Sequence, residues 1–224
     1  MTYASLFKTW ATVLIAILAA ILLSVAAFTT GAGAQDQPRC SGKVVLDPGH
    51  GGTDSGAVSK NGLKEKDQTL DVATNLKTQL EDDGCTVYMT RTTDKTLSNN
   101  DRYTYANSTG ADVLVSVHMN GSTNTSVDYT TTLFGKWRKD KELANTVFKS
   151  LRTLPGADGS PEIATRTPYS FASGVLLKST MPATIAETVF ITNDQEAQLL
   201  ANGTRQPQIA EALKLGIERY LASH

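Results

Sequence analysis

KVVLDPGHGG, residues 43–52, joins a short apolar run to a loop rich in glycine. The apolar run is typical of a buried strand, and the proline and glycines after it end that strand. His50 therefore lies at the carboxyl end of a strand, in a loop whose glycines let other groups approach closely. Ligand sites in open α/β sheets form at that end of the strands. The stretch thus predicts an α/β fold and the location of its site.

The rest of the chain alternates strand-like and helix-like segments. Apolar runs predict strands at about 43–47, 86–90, 112–118, 127–134, 175–177 and 184–186. Apolar stripes predict helices at about 67–83, 139–154, 194–200 and 209–220, with a short helix before Gly110 that Asn99 or Asn100 caps. Residues 155–170 are expected to form a long surface loop. The pattern predicts a single α/β domain, with a mostly parallel twisted sheet and helices on both faces.

Charge and length exclude some classes of protein. The chain has 224 residues and a net charge of −1, so it lacks the basic excess typical of nucleic-acid binders. We therefore expect no nucleic-acid partner.

The N-terminal segment has its own pattern. Lys8 precedes an uncharged apolar run at residues 10–28, and an A-x-A cleavage pattern ends at Ala34. The simplest interpretation is a signal peptide at residues 1–34, and the competing one is an uncleaved membrane anchor through residues 10–28. In both cases residues 35–42 are a linker, and the domain at 43–222 is extracytoplasmic, either secreted, in the cell envelope or membrane-anchored.

The chain has two cysteines, Cys40 and Cys85, each just before a predicted strand. If the two strands are parallel neighbours, both cysteines lie at one sheet edge, and an oxidising compartment permits a disulfide between them. The alternative is two free thiols.

Polar residues with metal-binding side chains follow several predicted strands. His50 follows the first strand, His118 the third and Glu187 a late strand, while Glu65 leads into the first helix. Two histidines and a carboxylate suit zinc, whose catalytic sites keep three protein ligands and an open position. Histidines this far apart have no diagnostic spacing, so one capping and one buried histidine is an equally good interpretation.

Four motifs in order carry a resemblance to a known family. They are KVVLDPGHGG with GLKEKD at residues 62–67, MTR at 89–91 with DR at 101–102, SVHMN at 116–120, and MPATIAE at 181–187 with FITN at 190–193. Together they resemble the zinc-dependent N-acetylmuramoyl-L-alanine amidases of the Amidase_3 family, over about residues 43–221.

The resemblance implies a role for each matched residue. His50, Glu65 and His118 would bind one zinc ion per chain, and Glu187 would be the catalytic general base and acid. The substrate would be peptidoglycan, cut between N-acetylmuramic acid and the L-alanine of the stem peptide, as by an autolysin. Asn120 is a candidate for substrate binding, and the protein is expected to be a monomer.

Alternatives remain at several positions. Asp54, Asp67 and Glu81 compete with Glu65 as the ligand. Glu162 and Glu196 compete with Glu187, although Glu196 is expected to be exposed on a short polar helix. Arg102 is expected to form an internal salt bridge, and Asp47 either orients a ligand or turns the chain.

The chain departs from the family pattern at Met119, at Thr188-Val189 and around residues 166–171. These departures affect the expected substrate preference more than zinc binding. Only 68 residues separate His118 from Glu187 (187 − 118 − 1), so no inhibitory helix is expected between them. A zinc peptidase that cuts within the stem peptide and a non-catalytic wall-binding domain are the competing functions.

Overall fold

The computed structural model describes residues 40–135 and 138–224. Its strands are β1 Lys43–Pro48, β2 Thr86–Met89, β3 Val113–Asn120, β4 Thr131–Phe134, β5 Tyr169–Ser170 and β6 Ala183–Phe190. Its helices are α1 Glu65–Asp82, α2 Asn99–Thr109, α3 Arg138–Leu151, α4 Gly174–Lys178, α5 Asp194–Ala201 and α6 Arg205–Leu221. Among these described residues, no helix is long and apolar enough to cross a membrane. The predicted signal peptide or anchor, residues 1–34, lies outside the described residues.

The six strands form one sheet in the order β2-β1-β3-β6-β4-β5. β1, β2, β3 and β6 run parallel, β4 is antiparallel to β6, and β5 pairs in parallel with β4. The predicted fold class is therefore confirmed. The apolar runs of β1 and β3 are buried because helices cover both faces of a sheet of this kind.

The two faces of the sheet are covered unequally. α1, α3 and α6 pack together over one face, where Val44 and Leu46 contribute to the larger core cluster. α2 and the short α4 cover the other face, where Val45, Leu114 and Ile185 belong to a smaller cluster. Side chains alternate between faces along a strand. Consequently, polar residues further along on the thinly covered face are not enclosed by a helix.

Several predicted elements need correction. Residues 175–177 are not a strand but lie in α4, where the Ser173 side chain caps the helix by accepting a bond from the Val175 N–H. Ser98, rather than Asn99 or Asn100, caps α2, in a reciprocal capping box with Asp101. The strand predicted at 127–134 is shorter, and only Thr131–Phe134 forms β4. In the first two cases a serine hydroxyl decides the local structure.

Cys40 and Cys85 form a disulfide, with their Cα atoms 4.9 Å apart. It joins the segments that lead into β1 and β2, at the sheet edge opposite to the end that carries His50. Closing a loop between residues 45 positions apart stabilises the fold by about 3–4 kcal/mol in the chain-entropy description.

Candidate active site and metal centre

The strand register brings together residues that are far apart in sequence. His118 on β3 is directly opposite Glu187 on β6, and His50 follows β1, which pairs with the other side of β3. Glu65 is the first residue of α1. These four side chains meet at the carboxyl ends of the strands, as the sequence predicted.

Three of them form a compact cluster of possible metal ligands. The Glu65 Oε1 atom lies 3.0 Å from His50 Nε2 and 3.1 Å from His118 Nδ1. One ligand atom from each residue lies within 4.8 Å of the others. The Glu65 carboxylate also accepts hydrogen bonds from the backbone N–H groups of Ala57 and Met119. These bonds fix its position before any ion binds.

The backbone around the cluster leaves no spare room. A Cβ atom on Gly49 would lie 2.4 Å from Cε1 of His118, and one on Gly56 would lie 2.5 Å from Oε2 of Glu65. His50 itself has a φ of 60°, the left-handed conformation that non-glycine residues rarely adopt. Such strain persists where the surroundings enforce it, often at functional sites.

Charge interactions within the cluster shift its protonation. Burial lowers the pKa of His50, but hydrogen bonds and charge interactions with Glu65 and Asp54 outweigh it and raise that pKa to about 9. Burial raises the pKa of Glu65, whereas the two histidines lower it more strongly, to about 2. Without an ion, a proton on His50 therefore offsets part of the charge of the Glu65 carboxylate. A divalent cation would replace that positive charge.

Asp54 has a role that the sequence did not predict. Its Oδ2 atom lies 2.8 Å from Nδ1 of His50, on the ring nitrogen opposite to the one facing Glu65. The sequence suggests Asp54 only as an alternative to Glu65 as the metal ligand. A carboxylate in this position fixes the tautomer and orientation of a ligating histidine.

A buried ion pair supports the loop from below. Arg102 donates to Asp47 Oδ1 at 2.7 Å and to the backbone oxygen of His50 at 2.6 Å. Ser116 and Thr90 donate to the same carboxylate. Burial raises the pKa of Asp47, but Arg102 and these hydrogen bonds bring it below its usual value. The predicted internal salt bridge of Arg102 is confirmed, and through it Asp47 helps to hold the His50 backbone.

Glu187 lies in a cleft of about 320 Å³ beside the cluster. The cleft is also lined by Leu133 and Ile185 from the sheet and by Tyr169 and Phe171 from the far wall. Burial raises the pKa of Glu187 and the charge of Glu65 adds to this, while His118 opposes it. A carboxyl group in this environment can hold a proton more readily than one in water.

The structure places the remaining candidates elsewhere. Asn120 follows His118 on β3 but does not line the cleft, and its buried Nδ2 has no hydrogen-bond partner among the described residues. The prediction that Glu196 is exposed is wrong, because Glu196 is fully buried in an ion pair with Arg205. The competing acids Asp67, Glu81 and Glu162 are not part of the cluster.

Known proteins are similar to this chain in sequence and in fold. AmiA, an N-acetylmuramoyl-L-alanine amidase of Escherichia coli K12, is 29% identical over 79% of this chain and 75% of its own length. AmiC of Escherichia coli O6:H1 is 31% identical over 80% of this chain, which matches only 52% of that relative. The crystal structure of an N-acetylmuramoyl-L-alanine amidase from Clostridium difficile 630 superposes with a TM-score of 0.75 and 34% identity. It covers 82% of this chain and 98% of the other.

The family model matches nearly all of the described sheet. Amidase_3, described as N-acetylmuramoyl-L-alanine amidase, matches residues 44–219, which include every strand from β2 to β6 and all but one residue of β1. The chain therefore belongs to the Amidase_3 family of N-acetylmuramoyl-L-alanine amidases.

Proposed function

We propose that this domain is a zinc-dependent peptidoglycan amidase. It hydrolyses the amide bond between N-acetylmuramic acid and the L-alanine of the stem peptide. The observation that carries the proposal is the meeting of His50, Glu65 and His118 around one point beside Glu187. Its relatives bear the name of this activity.

The donor set fits zinc. Two imidazole nitrogens and one carboxylate oxygen are the ligands of a common type of catalytic zinc site. His50, Glu65 and His118 would hold one zinc ion per chain, with Asp54 orienting His50. When bound, zinc supplies Lewis acidity, which activates a water molecule and polarises the scissile carbonyl.

Glu187 performs the proton transfers. Its carboxylate accepts a proton from the attacking water and then donates it to the nitrogen of the departing L-alanine. The raised pKa of Glu187 suits both steps because the carboxyl group holds the proton between them.

The proposal extends to the setting of the enzyme. Peptidoglycan is the partner, and the domain acts outside the cytoplasm, consistent with the disulfide between Cys40 and Cys85. Secretion or anchoring through residues 10–28, the monomeric state and substrate binding by Asn120 remain predictions from the sequence.

Metal analysis and product analysis together test the function. Protein purified without chelators should contain about one zinc per chain, and its action on purified cell wall should release intact stem peptides that begin with L-alanine. Fragments cut within the stem peptide would instead support the peptidase alternative. Protein that lacks zinc and releases no peptide would contradict the proposal.

A further inference from the structure

Arg166 differs from the other charged groups near the cleft. Its Nη1 donates to the Tyr129 hydroxyl at 3.2 Å, and its guanidinium stacks over the Tyr169 ring, 5.0 Å from the centroid. Within residues 40–135 and 138–224, the charge interactions that act on its pKa come from these two tyrosines and not from a carboxylate. Arg166 is therefore an oriented cation without a carboxylate partner in the described chain.

The register places Arg166 on the same face of the sheet as Glu187. Glu187 is opposite Thr131 of β4, and Thr130 bridges Thr165 in parallel. Arg166 follows Thr165 and stacks over Tyr169, which lines the same cleft as Glu187, so Arg166 lies on the face of Glu187. Two strand spacings separate their backbones, or about 10 Å.

The wall between Arg166 and Glu187 carries exposed aromatic side chains that a ligand could contact. Tyr169 and Phe171 are 38% and 49% exposed, unusually high for aromatic side chains, and both line the cleft. Arg102, which lines the cleft, is already paired with Asp47, whereas Arg166 reaches the wall through its stacking on Tyr169. Arg166 therefore supplies positive charge to a wall that faces the acidic groups Glu187 and Asp54.

Resting on the proposed amidase function, we propose that Arg166 determines substrate specificity by binding a free carboxylate on the second residue of the stem peptide. A γ-linked glutamate at this position keeps its α-carboxylate, whereas isoglutamine carries a carboxamide. From the scissile nitrogen, two extended residues of the stem peptide reach about 7 Å. The backbones of Glu187 and Arg166 are about 10 Å apart, so the Arg166 side chain can reach a carboxylate on the second residue. A guanidinium binds a carboxylate through two parallel hydrogen bonds, which a carboxamide cannot reproduce.

Two matched soluble muropeptides test this assignment. They differ only in carrying a carboxylate or a carboxamide at the second residue, and kcat and KM are measured for each with the zinc-loaded protein. The unmodified protein should prefer the carboxylate by about tenfold in kcat/KM, mainly through KM, as expected for a hydrogen bond to a charged group. Arg166→Gln should abolish this preference and leave hydrolysis of the carboxamide unchanged within about twofold, because an exposed side chain is being replaced.

Two further variants serve as controls. Arg138→Gln removes another exposed arginine, on α3, and should keep the full preference. Tyr129→Phe removes the hydroxyl that orients Arg166 and should reduce the preference without abolishing it. Equal preference in the unmodified protein and Arg166→Gln, with both substrates hydrolysed, would overturn the carboxylate assignment alone. Failure of the unmodified protein to hydrolyse either substrate would instead contradict the amidase function.

Discussion

The two sides of the cleft are built in different ways. On one side lies the ligand cradle, formed by the loop after β1, the start of α1 and the end of β3. On the other lies the aromatic wall, formed by β4, β5 and residues 166–171. The polar groups of the cradle are hydrogen-bonded to other groups of the protein. Below the cradle, Asp47 is paired with Arg102, which helps to lower the pKa of the Asp47 carboxyl. The wall carries exposed aromatic rings on a two-residue edge strand.

Asp128, a half-buried carboxyl just before β4, has the opposite character. Burial and the nearby charge of Glu196 raise its pKa to about 7, and Arg205 opposes them only in part. The cradle is held by hydrogen bonds and a buried ion pair within the protein, whereas the wall presents exposed rings at the edge of the sheet. The following variants separate these properties.

The largest expected effect is on Glu187, which lies between the two sides. Glu187→Gln keeps the size of the side chain but cannot accept or donate the catalytic proton, so hydrolysis of cell wall should fall by roughly 10³-fold. Zinc content should stay the same, because Glu187 is not a proposed ligand. Glu162→Gln, at an exposed glutamate in the long loop, is the matched control and should keep full activity. Undiminished hydrolysis by Glu187→Gln would refute the assigned role.

Gly49→Ala should damage the cradle itself. The added methyl would lie 2.4 Å from the His118 ring, which must then move away from Glu65. We expect loss of most bound zinc, and a free energy of unfolding lower by about 1–3 kcal/mol. Metal analysis and denaturant unfolding measure the two effects.

Gly62→Ala provides the control for this variant. Its φ of 88° makes alanine strained there, unlike at Gly49, but no atom lies within reach of the new methyl. It should cost about 1 kcal/mol of stability and leave zinc content unchanged. Equal zinc loss in both variants would show that the loss is not specific to the contact with His118.

Asp54→Asn should produce a smaller effect on the same side. It removes the carboxylate bonded to His50 Nδ1 while keeping the three proposed ligands. Zinc affinity, measured by competition with a chelator, should weaken by about 10–100-fold. Asp67→Asn makes the same change at an exposed acid in the first turn of α1 and should leave the affinity unaltered. Unchanged affinity in Asp54→Asn would mean that Glu65 and the backbone orient His50 without help.

The smallest effect should appear at Asp128, as a dependence of stability on pH. The folded-state pKa of Asp128 is about 7, above its ordinary value of 3.8, so the folded protein binds a proton that the unfolded chain has lost. The contribution of this group to the free energy of unfolding is therefore complete at pH below 3.8, falls as pH rises toward 7, and changes little above that.

Asp128→Asn keeps a hydrogen-bond donor toward Glu196 but cannot ionise. Its Tm should exceed that of the unmodified protein by about 2–4 °C at pH 8, with a smaller difference at pH 5. Thermal unfolding at both pH values measures this. An equal difference at the two pH values would exclude titration of Asp128 as the cause.

Much of this architecture was predictable from the sequence because it depends on local patterns. The run before His50, the buried strand before His118 and the late strand before Glu187 are continuous apolar segments, and parallel order brings their ends together. The family motifs then imply a role for each matched residue, and membership of that family is confirmed.

What escaped prediction depends on contacts that sequence spacing does not reveal. Leu176 lies in an apolar run that resembles a strand, but a serine cap converts it to a helix turn. Glu196 lies on a helix that looks polar, yet it is buried because Arg205 neutralises it. Asp54 reaches His50 in a tight loop that contains the left-handed residue His50 and a bridge between Gly51 and Asp54. Tyr169 and Phe171 reach the cleft because β5 pairs with β4 at the edge of the sheet. A strand of two residues is too short to give a recognisable sequence pattern.

The strand order also has a consequence for when the enzyme becomes active. β6 is the last strand in the chain, yet it lies in the interior of the sheet, between β3 and β4. A chain still being synthesised cannot bring Glu187 opposite His118 until residues 183–190 are available for insertion. Because domains of this size fold as cooperative units, the ability to cut cell wall arises only at completion. The topology itself therefore keeps a potentially destructive hydrolase latent until it is fully assembled.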